Sequence, residues 1–351
     1  MDVHEINKLD LDFQPDDFEW ARDKSDVLED EIFVRQSASK QFIQQFSRNK
    51  GAVIGFILLM LIVLMAVIGP HLNHWGSNEQ IFGNEAMAPR IPGIENLGIF
   101  DGKQTLETST ATMVVDKYHD QPGKEDIYYW FGSDVLGRDI FTRTWEGARI
   151  SLYIALVAVI VDIVIGMIYG LVSGYFGGKV DMVMQRILEI INGIPSLVIV
   201  TLLIVVMKPG ITSITIAIAL TGWIGMSRIA RAQMLKLKER EFVLAARTQG
   251  ASPMRLIFKE ILPNIFAQLI VMSMFSIPSA IFTEAYLAFI GLGVPMPHAS
   301  LGSLISDAFK SFLSAPFMIV APVLVLSILM LSINLVADGL RDALDPTMKE
   351  V

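Results

Sequence analysis

The chain has 351 residues, 52% of them hydrophobic, and a mean hydropathy of +0.51. This composition is too apolar for an ordinary soluble domain, so a soluble enzyme or binding domain is excluded and a bilayer protein is predicted. The net charge of −8 names no partner, because the acidic residues cluster near the N-terminus and in one later loop. The sequence lacks the interleaved basic and aromatic residues that are typical of nucleic-acid binding. Because it contains no cysteine, disulfides and thiolate metal sites are excluded.

The first part of the chain changes its charge before it becomes apolar. Residues 1–31 are rich in Asp and Glu, whereas residues 32–50 carry only basic charges. Because basic residues flank spans on the cytoplasmic side, residues 1–50 are predicted to form a cytoplasmic tail and a basic pre-membrane segment. An apolar run from Ala52 to Ile68 predicts a first transmembrane helix within residues 51–70. The polar residues 71–149, punctuated by Gly, Pro and Asn, predict an extracytoplasmic lobe.

The end of this lobe has an amphipathic pattern. Phe141, Trp145 and Ala148 fall on one helical face and charged residues on the other, which predicts a helix lying in the membrane interface. No nucleophile or base is grouped with the charged residues, so ion pairs that fix the lobe against the membrane helices are predicted rather than catalysis. The residues expected in these ion pairs are Asp134, Arg138, Asp139 and Arg143.

A second span is predicted from Ser151 to Phe176, with two features of interest. Gly166, Gly170 and Gly174 are spaced four apart, the pattern of small residues that lets membrane helices approach closely. Asp162 is ionisable within an apolar span, which makes it a candidate for the substrate path. A hydrogen-bonded contact between helices is an equally good interpretation, and the sequence indicates no partner for it.

Four more apolar runs complete six predicted spans. A turn at residues 177–179 and an interfacial approach at 181–186 lead into a third span. A short helix at residues 301–312 is expected to dip back toward the interior before the last span. The later spans are expected at residues 187–207, 211–226, 264–290 and 315–335, which gives a core of five transmembrane helices over 150–340 and a cytoplasmic C-terminus over 341–351. An even number of spans places both termini in the cytoplasm.

The loop at residues 228–263 is the most informative part of the chain. Its eight basic residues against three acidic ones place it in the cytoplasm. Helix formers begin at Glu241, Gly250 supplies a left-handed stop, and Ser252-Pro253 predicts the cap and first residue of another helix. Small Ala245 and Ala246 would let another backbone come close, so this elbow is predicted to dock on a protein. A merely solvated helical loop is the alternative.

Several motifs indicate a family. Ala245-Ala246-x-x-x-Gly250, followed by Leu262-Pro263, resembles the EAA motif of permease subunits of ABC importers, although Leu244 stands where that motif usually has glutamate. Three further stretches share the likeness, at residues 131–152, 284–293 and 334–346. Together they are similar to the C-type permease subunit of the dipeptide, oligopeptide and nickel ABC importers, over residues 49–347.

The resemblance implies a fold and a set of partners. The fold is an all-α membrane protein with six helices of the type I ABC importer permease fold and an external lobe between helices 1 and 2. The partners are a second, B-type permease, two cytoplasmic ABC ATPases, an extracytoplasmic substrate-binding protein and a peptide, in a bacterial cell membrane. The residues implied in coupling to the ATPase are Glu241, Ala245, Ala246, Arg247, Gly250, Ala251, Leu262 and Pro263.

No cofactor, metal or catalytic group is expected in this chain. It has no phosphate-binding glycine loop ending in Lys-Ser or Lys-Thr, so ATP and Mg would be bound by the partner ATPases. A nickel or other small-solute permease of the same family is an alternative, although the five histidines lack metal-ligand spacing. Two alternatives come from other classes: an ungated channel, and a membrane-embedded hydrolase in which Asp162, Glu189 and Glu284 would converge.

Overall fold

The computed structural model describes residues 38–108 and 111–344, with the side chains of residues 38–41 and 106–112 left aside. The acidic tail expected over residues 1–31 and the end of the chain from residue 345 lie outside this range. The chain divides into two compact units between Ile43 and Gln44, and nearly all described residues belong to the second. The architecture of that second unit is described below.

Helices dominate the second unit. Within residues 38–108 and 111–344, five helices are long and apolar enough to cross a membrane, or six if one bent pair counts as a single span. The expected six spans are therefore found, one of them broken. They are Lys50–His71, Ile140–Phe176, the bent pair Gly178–Gly193 and Ser196–Met207, Ile211–Leu237, Pro253–Phe289, and Phe317–Leu344. Shorter helices of this unit are Glu241–Thr248 and Leu301–Lys310, with a single turn at Glu95–Leu97, whereas the helix Ala38–Arg48 contains the division between the two units.

The second span begins earlier than expected. Asp139 caps it, accepting a hydrogen bond of 2.7 Å from the backbone N–H of Thr142, and the α-helix then runs from Ile140 to Val161. The predicted interfacial helix and the boundary between residues 149 and 150 are therefore wrong. Amphipathicity was misleading because both faces are covered: Phe141 on the apolar face and Thr142 on the polar face are both buried.

The third span is broken rather than continuous. Its two halves meet at an angle of 77° around Ile194 and Pro195. Proline lacks a backbone donor and forces the preceding residue out of the helical conformation, so the helix ends at Gly193 and restarts at Ser196. The expected interfacial approach at residues 181–186 is instead part of the first half, Gly178–Gly193.

The fourth, fifth and sixth spans extend beyond their apolar runs. The fourth continues to Leu237, so the first ten residues of the expected loop 228–263 are helical. The fifth already begins at Pro253 and spans 37 residues, and the sixth reaches Leu344, past the expected boundary at residue 340. Charged residues interrupt the apolar runs at these ends without breaking the helices, so hydropathy alone placed the expected ends too close to the membrane centre.

The lobe between the first two spans contains strands that the all-α expectation did not include. Strands Lys103–Thr108 and Ala111–Asp116 form an antiparallel hairpin in which Lys103 faces Asp116. Tyr118 and Tyr129 of the lobe are fully buried, with the Tyr118 hydroxyl donating to the Ala88 carbonyl at 2.8 Å. The lobe is thus a small folded unit with its own core.

The main core draws buried residues from all six spans. It contains Ile154, Ile214 and Ile281, all fully buried. The short helix Leu301–Lys310 packs against the second and fifth spans and begins with a capping box at Ser300 and Ser303. A second cluster, around Met234, Val243 and Leu256, holds the elbow to the fourth and fifth spans.

Candidate functional site

Because the fourth span continues to Leu237, the elbow is restricted to residues 238–263. It has one fully buried apolar residue in its short helix. The helix Glu241–Thr248 is held by Val243, which is fully buried against Leu256 and Ile257 of the fifth span. The flanking Phe242 and Leu244 are 42% and 44% exposed. Because only one of three consecutive apolar residues faces inward, the elbow presents apolar surface outward.

The turn of the elbow is a Schellman motif. Gly250 N–H donates to the Arg247 carbonyl at 3.0 Å and Ala251 N–H to the Ala246 carbonyl at 3.1 Å. This closure requires a left-handed residue, and Gly250 has φ of +83°. The Ser252 side chain then caps the next helix by accepting from Arg255 N–H at 3.4 Å, with Pro253 at its first position. The predicted stop, cap and restart are confirmed.

The remaining elbow residues form an open recess. It has a volume of about 440 Å³ and is lined by Phe242, Ala245, Ala246, Gln249, Gly250, Ala251, Arg255 and Glu260. Ala245 and Gly250 are exposed and Ala246 is half-buried. Arg255 and Glu260 form an ion pair of 3.6 Å at its rim. Small, exposed residues between charged ones make a surface that another protein can approach closely.

Of the other residues expected in coupling, Glu241 and Arg247 are exposed, Leu262 is half-buried and Pro263 is exposed. A π-helical segment, Leu256–Ile261, directly precedes the last two. Proline lacks an N–H and its ring clashes with the carbonyl four residues earlier, and the wider turn relieves that clash for Pro263.

The three glycines of the second span lie against the fourth span. A Cβ on Gly166 would lie 2.7 Å from the Trp223 carbonyl oxygen, and one on Gly174 would lie 2.9 Å from that of Arg231. Gly170 faces Ser227 still more closely. Backbones in such contact leave no room for a side chain at these positions.

A charged network, not anticipated from the sequence, ties three spans together beside the elbow. Arg231 of the fourth span donates to both oxygens of Asp181 of the third, at 2.6 and 2.5 Å. Ser173 of the second span donates to Asp181 at 2.5 Å, and Lys238 donates to the Gly174 carbonyl at 3.1 Å. The sequence did contain a signal for this network, because Asp181 and Arg231 are opposite charges near the same ends of neighbouring spans.

A cavity of about 270 Å³ lies among the second, third, fourth and fifth spans. Asp162 lines it and is 3% exposed, and the Ser276 side chain lies near its carboxylate in the same lining. The hydroxyl-bearing residues of the lining are Ser196, Thr221, Ser276, Ser279, Thr283 and Tyr286. Asp162 thus faces a polar cavity, which the sequence did not indicate.

The three carboxylates required by a hydrolase have separate partners. Glu189 is exposed and pairs with Arg186 at 2.7 Å. Glu284 is fully buried and accepts hydrogen bonds from Ser300 and, at 3.2 Å, from Ser151. Neither lines the cavity of Asp162, so the three acids do not converge.

The ion pairs expected under the lobe are present in part. Arg138 pairs with Asp134 at 2.7 Å, and Arg143 approaches the same carboxylate at 3.7 Å. Arg143 also donates to the Ser77 carbonyl in the lobe at 3.0 Å, so it joins the lobe to the second span. Asp139 is a helix cap instead, and burial raises its pKa to about 6.

Comparison with known proteins decides the family. The family model described as "Binding-protein-dependent transport system inner membrane component" matches residues 163–350, more than half of the chain. The chain belongs to this family of ABC importer permeases. A second model, "N-terminal TM domain of oligopeptide transport permease C", matches residues 37–89, and the two matches confirm the resemblance to C-type permeases and the importer permease fold.

Curated relatives cover nearly the whole permease. It is 40% identical to the oligopeptide transport system permease protein OppC of Bacillus subtilis, over 89% of this chain and 90% of that protein. It is 42% identical to the dipeptide transport system permease protein DppC of Lactococcus lactis, over 88% and 90% respectively. The permease is thus a multi-pass transport subunit of an ABC importer, whose ATP hydrolysis is performed by separate ATPase subunits. Other ABC components, a partner permease among them, are implied.

Proposed function

We propose that this permease forms half of the translocation path for oligopeptides or dipeptides in a bacterial inner membrane. Relatives at 38–42% identity are named as oligopeptide or dipeptide permeases, which supports a peptide substrate. The basic residues of the elbow support a cytoplasmic position for it and, by the count of spans, for both termini.

The proposed assembly contains four further components. A B-type permease completes the path, two cytoplasmic ATPases bind ATP and Mg, and an extracytoplasmic binding protein delivers the peptide. This chain itself holds no cofactor in the proposal. The exposed apolar and small residues of the elbow support contact with an ATPase, since such surface is otherwise unfavourable in water.

One observation carries the coupling mechanism: a single span, whose helix has one turn residue at Phe275, joins the elbow to the cavity. The fifth span begins at Pro253 in the elbow and ends at Phe289, and its later turns supply Ser276, Ser279 and Thr283 to the cavity lining. When ATP binding closes the ATPases, the docked elbow moves, the fifth span tilts with it, and the cavity changes its side of access. Hydrolysis reverses the change.

The test is ATP-driven uptake by the importer reconstituted in liposomes. Ala246→Glu places a charge at the recess and Gly250→Arg places a long side chain at its left-handed turn. Both variants are expected to assemble with the partner permease and to lose at least about tenfold in uptake, because the docking surface is blocked. Undiminished uptake by both would contradict the coupling role of the elbow.

Two matched variants separate docking from backbone strain. Gly123 in the lobe has φ of +82° and, like Gly250, no atom lies within 4 Å of the point that a Cβ would occupy. Gly123→Arg therefore carries the same strain without touching the elbow, and its uptake should remain near that of the unmodified protein. Gly250→Asn tolerates the left-handed conformation with little bulk and should retain most uptake.

A further inference from the structure

The cavity beside Asp162 has an unusual charge pattern. Asp162 supplies its carboxylate, and among the described residues no lysine, arginine or histidine contributes to the lining. Arg231, further along the fourth span, pairs with Asp181 rather than with this carboxylate. The cavity therefore offers a negative group without a built-in counter-charge.

The helix is also irregular at this point. A π-helical segment, Asp162–Gly166, interrupts the second span and begins at Asp162 itself. Such single wide turns are common at functional sites. The segment sits where Gly166 packs on the Trp223 backbone, so the carboxylate is held at the edge of a rigid helix pair.

A carboxylate buried in a membrane span is costly unless it is paired or serves a function. Ser276 places a neutral hydroxyl near it and supplies no charge. A cation that enters the cavity would supply the missing charge, and the neighbouring hydroxyls of Ser279, Thr283 and Tyr286 could accept hydrogen bonds from its N–H groups. The volume of about 270 Å³ suits an end group or a side chain rather than a whole oligopeptide.

We propose that Asp162 and the surrounding hydroxyls form a binding site for a primary ammonium group of the passing substrate. In a peptide this group is the free N-terminus or a lysine side chain, both of which are protonated at neutral pH. The peptide part of this inference rests on the proposed function, whereas the charge of the site does not. The alternative is that Asp162 serves only as a hydrogen-bonded contact between helices, a role that asparagine would fill equally well.

The first test uses the cysteine-free sequence. Ser279→Cys places a thiol in the lining, one turn from Ser276. The reconstituted importer is labelled with cationic trimethylammonioethyl and anionic sulfonatoethyl methanethiosulfonate, and the ratio of their rates is normalised to that of a free thiol. The same complex with Ser279 intact corrects for labelling of other subunits.

A charged Asp162 should favour the cationic reagent about tenfold, because opposite charges in a partly buried site attract more strongly than they do in bulk water. Asp162→Asn in the same background should bring the ratio to about one, and Asp162→Glu should preserve it. A neutral methanethiosulfonate should label the unmodified protein and both variants at equal rates, which shows that the cavity is intact. A cation preference that Asp162→Asn leaves unchanged would overturn the proposal.

The second test asks which ammonium group is bound. Uptake of trialanine, N-acetyl-trialanine and N-acetyl-Ala-Lys-Ala is compared between the unmodified importer and its Asp162→Asn variant, so that selection by the binding protein cancels. A loss of about tenfold for trialanine alone assigns the site to the N-terminus, and a loss for the lysine peptide too assigns it to any ammonium group. An equal effect on all three peptides would overturn the proposal, whereas failure to import any peptide would instead refute the proposed function and leave the labelling result standing.

Discussion

Arg231 of the fourth span forms a bidentate hydrogen bond to Asp181 of the third, with N–O distances of 2.6 and 2.5 Å. The planar guanidinium matches both carboxylate oxygens, a geometry that lysine cannot reproduce. The side chains are 31% and 16% exposed, so water weakens the interaction only in part. The pair therefore fixes the first half of the broken span beside the helix that leads to the elbow.

Asp181→Asn should lower the free energy of unfolding by about 1–3 kcal/mol, because a partly buried arginine loses its charged partner. Thermal unfolding of the purified importer in detergent measures the change. The matched control is Glu189→Gln, which breaks the Arg186 pair whose side chains are 73% and 57% exposed, and it should change stability by less than about 0.5 kcal/mol. Equal effects of the two variants would show that the Arg231 pair is no stronger than a surface ion pair.

Gly170→Ala should destabilise the packing of the second and fourth spans. Its Cβ would lie 2.8 Å from the Ala230 Cβ and 2.8 Å from the Arg231 nitrogen, so the helices must separate at a cost of about 1–3 kcal/mol. Gly225→Ala on the fourth span is the control, because a Cβ there meets no atom within 4 Å. Better helix propensity should make that control neutral or stabilising by up to about 1 kcal/mol. Thermal unfolding compares the two, and a harmless Gly170→Ala would mean that this contact is not tight.

Asp139 should make stability depend on pH. Burial raises the pKa of Asp139 to about 6 from an ordinary value of 3.8, so the folded protein binds a proton that the unfolded chain releases between these values. This contribution favours folding at low pH and is lost as pH rises from about 4 to 6. Asp139→Asn keeps a capping side chain without the charge.

The asparagine variant should therefore lack this contribution to the pH dependence and be more stable than the unmodified protein at pH 7, by up to about 3 kcal/mol. Unfolding by denaturant across the range from acidic to neutral pH gives both slopes. Parallel curves for the two proteins would show that Asp139 has an ordinary pKa.

Ser300 should be required for the short helix Leu301–Lys310. It is fully buried, donates to Glu284, and accepts from the Ser303 N–H at 3.1 Å as the helix cap. Ser300→Ala removes both bonds and should cost about 1–3 kcal/mol in thermal unfolding. The exposed Ser314, whose hydroxyl donates to the nearby Ser311 carbonyl, gives a control variant, Ser314→Ala, that should unfold within about 0.5 kcal/mol of the original. A similar loss in both would exclude a special role for the cap.

The sequence predicted the elbow turn well because its determinants are local. Gly250 supplies the left-handed conformation and Ser252 the following cap within a few residues, and both interactions are found. The glycine stripe was equally readable, since its spacing alone places the three residues on one helix face. The number of spans followed from the lengths of the apolar runs.

Helix ends and side-chain partners were harder to predict from the sequence, because they depend on residues that are distant in the chain. The fourth span continues past its charged residues because Arg231 finds Asp181, fifty positions away in the chain. Similarly, the sequence could not show that Val243, rather than Phe242 or Leu244, is the buried residue. Three adjacent apolar residues point in different directions around a helix, so their pattern does not define the inward face. The cavity at Asp162 needs four spans at once, so the sequence could offer only the isolated acid.

The bend in the third span limits which surroundings this part of the permease tolerates in the membrane. Near the middle of that membrane segment, Gly193, Ile194 and Pro195 are exposed in the single chain, and the regular helical hydrogen bonding is interrupted. Hydrocarbon cannot satisfy peptide groups freed in this way, and they are tolerated only beside water or another protein. A solitary copy surrounded by lipid would thus be destabilised on that flank until water or another protein covers the bend.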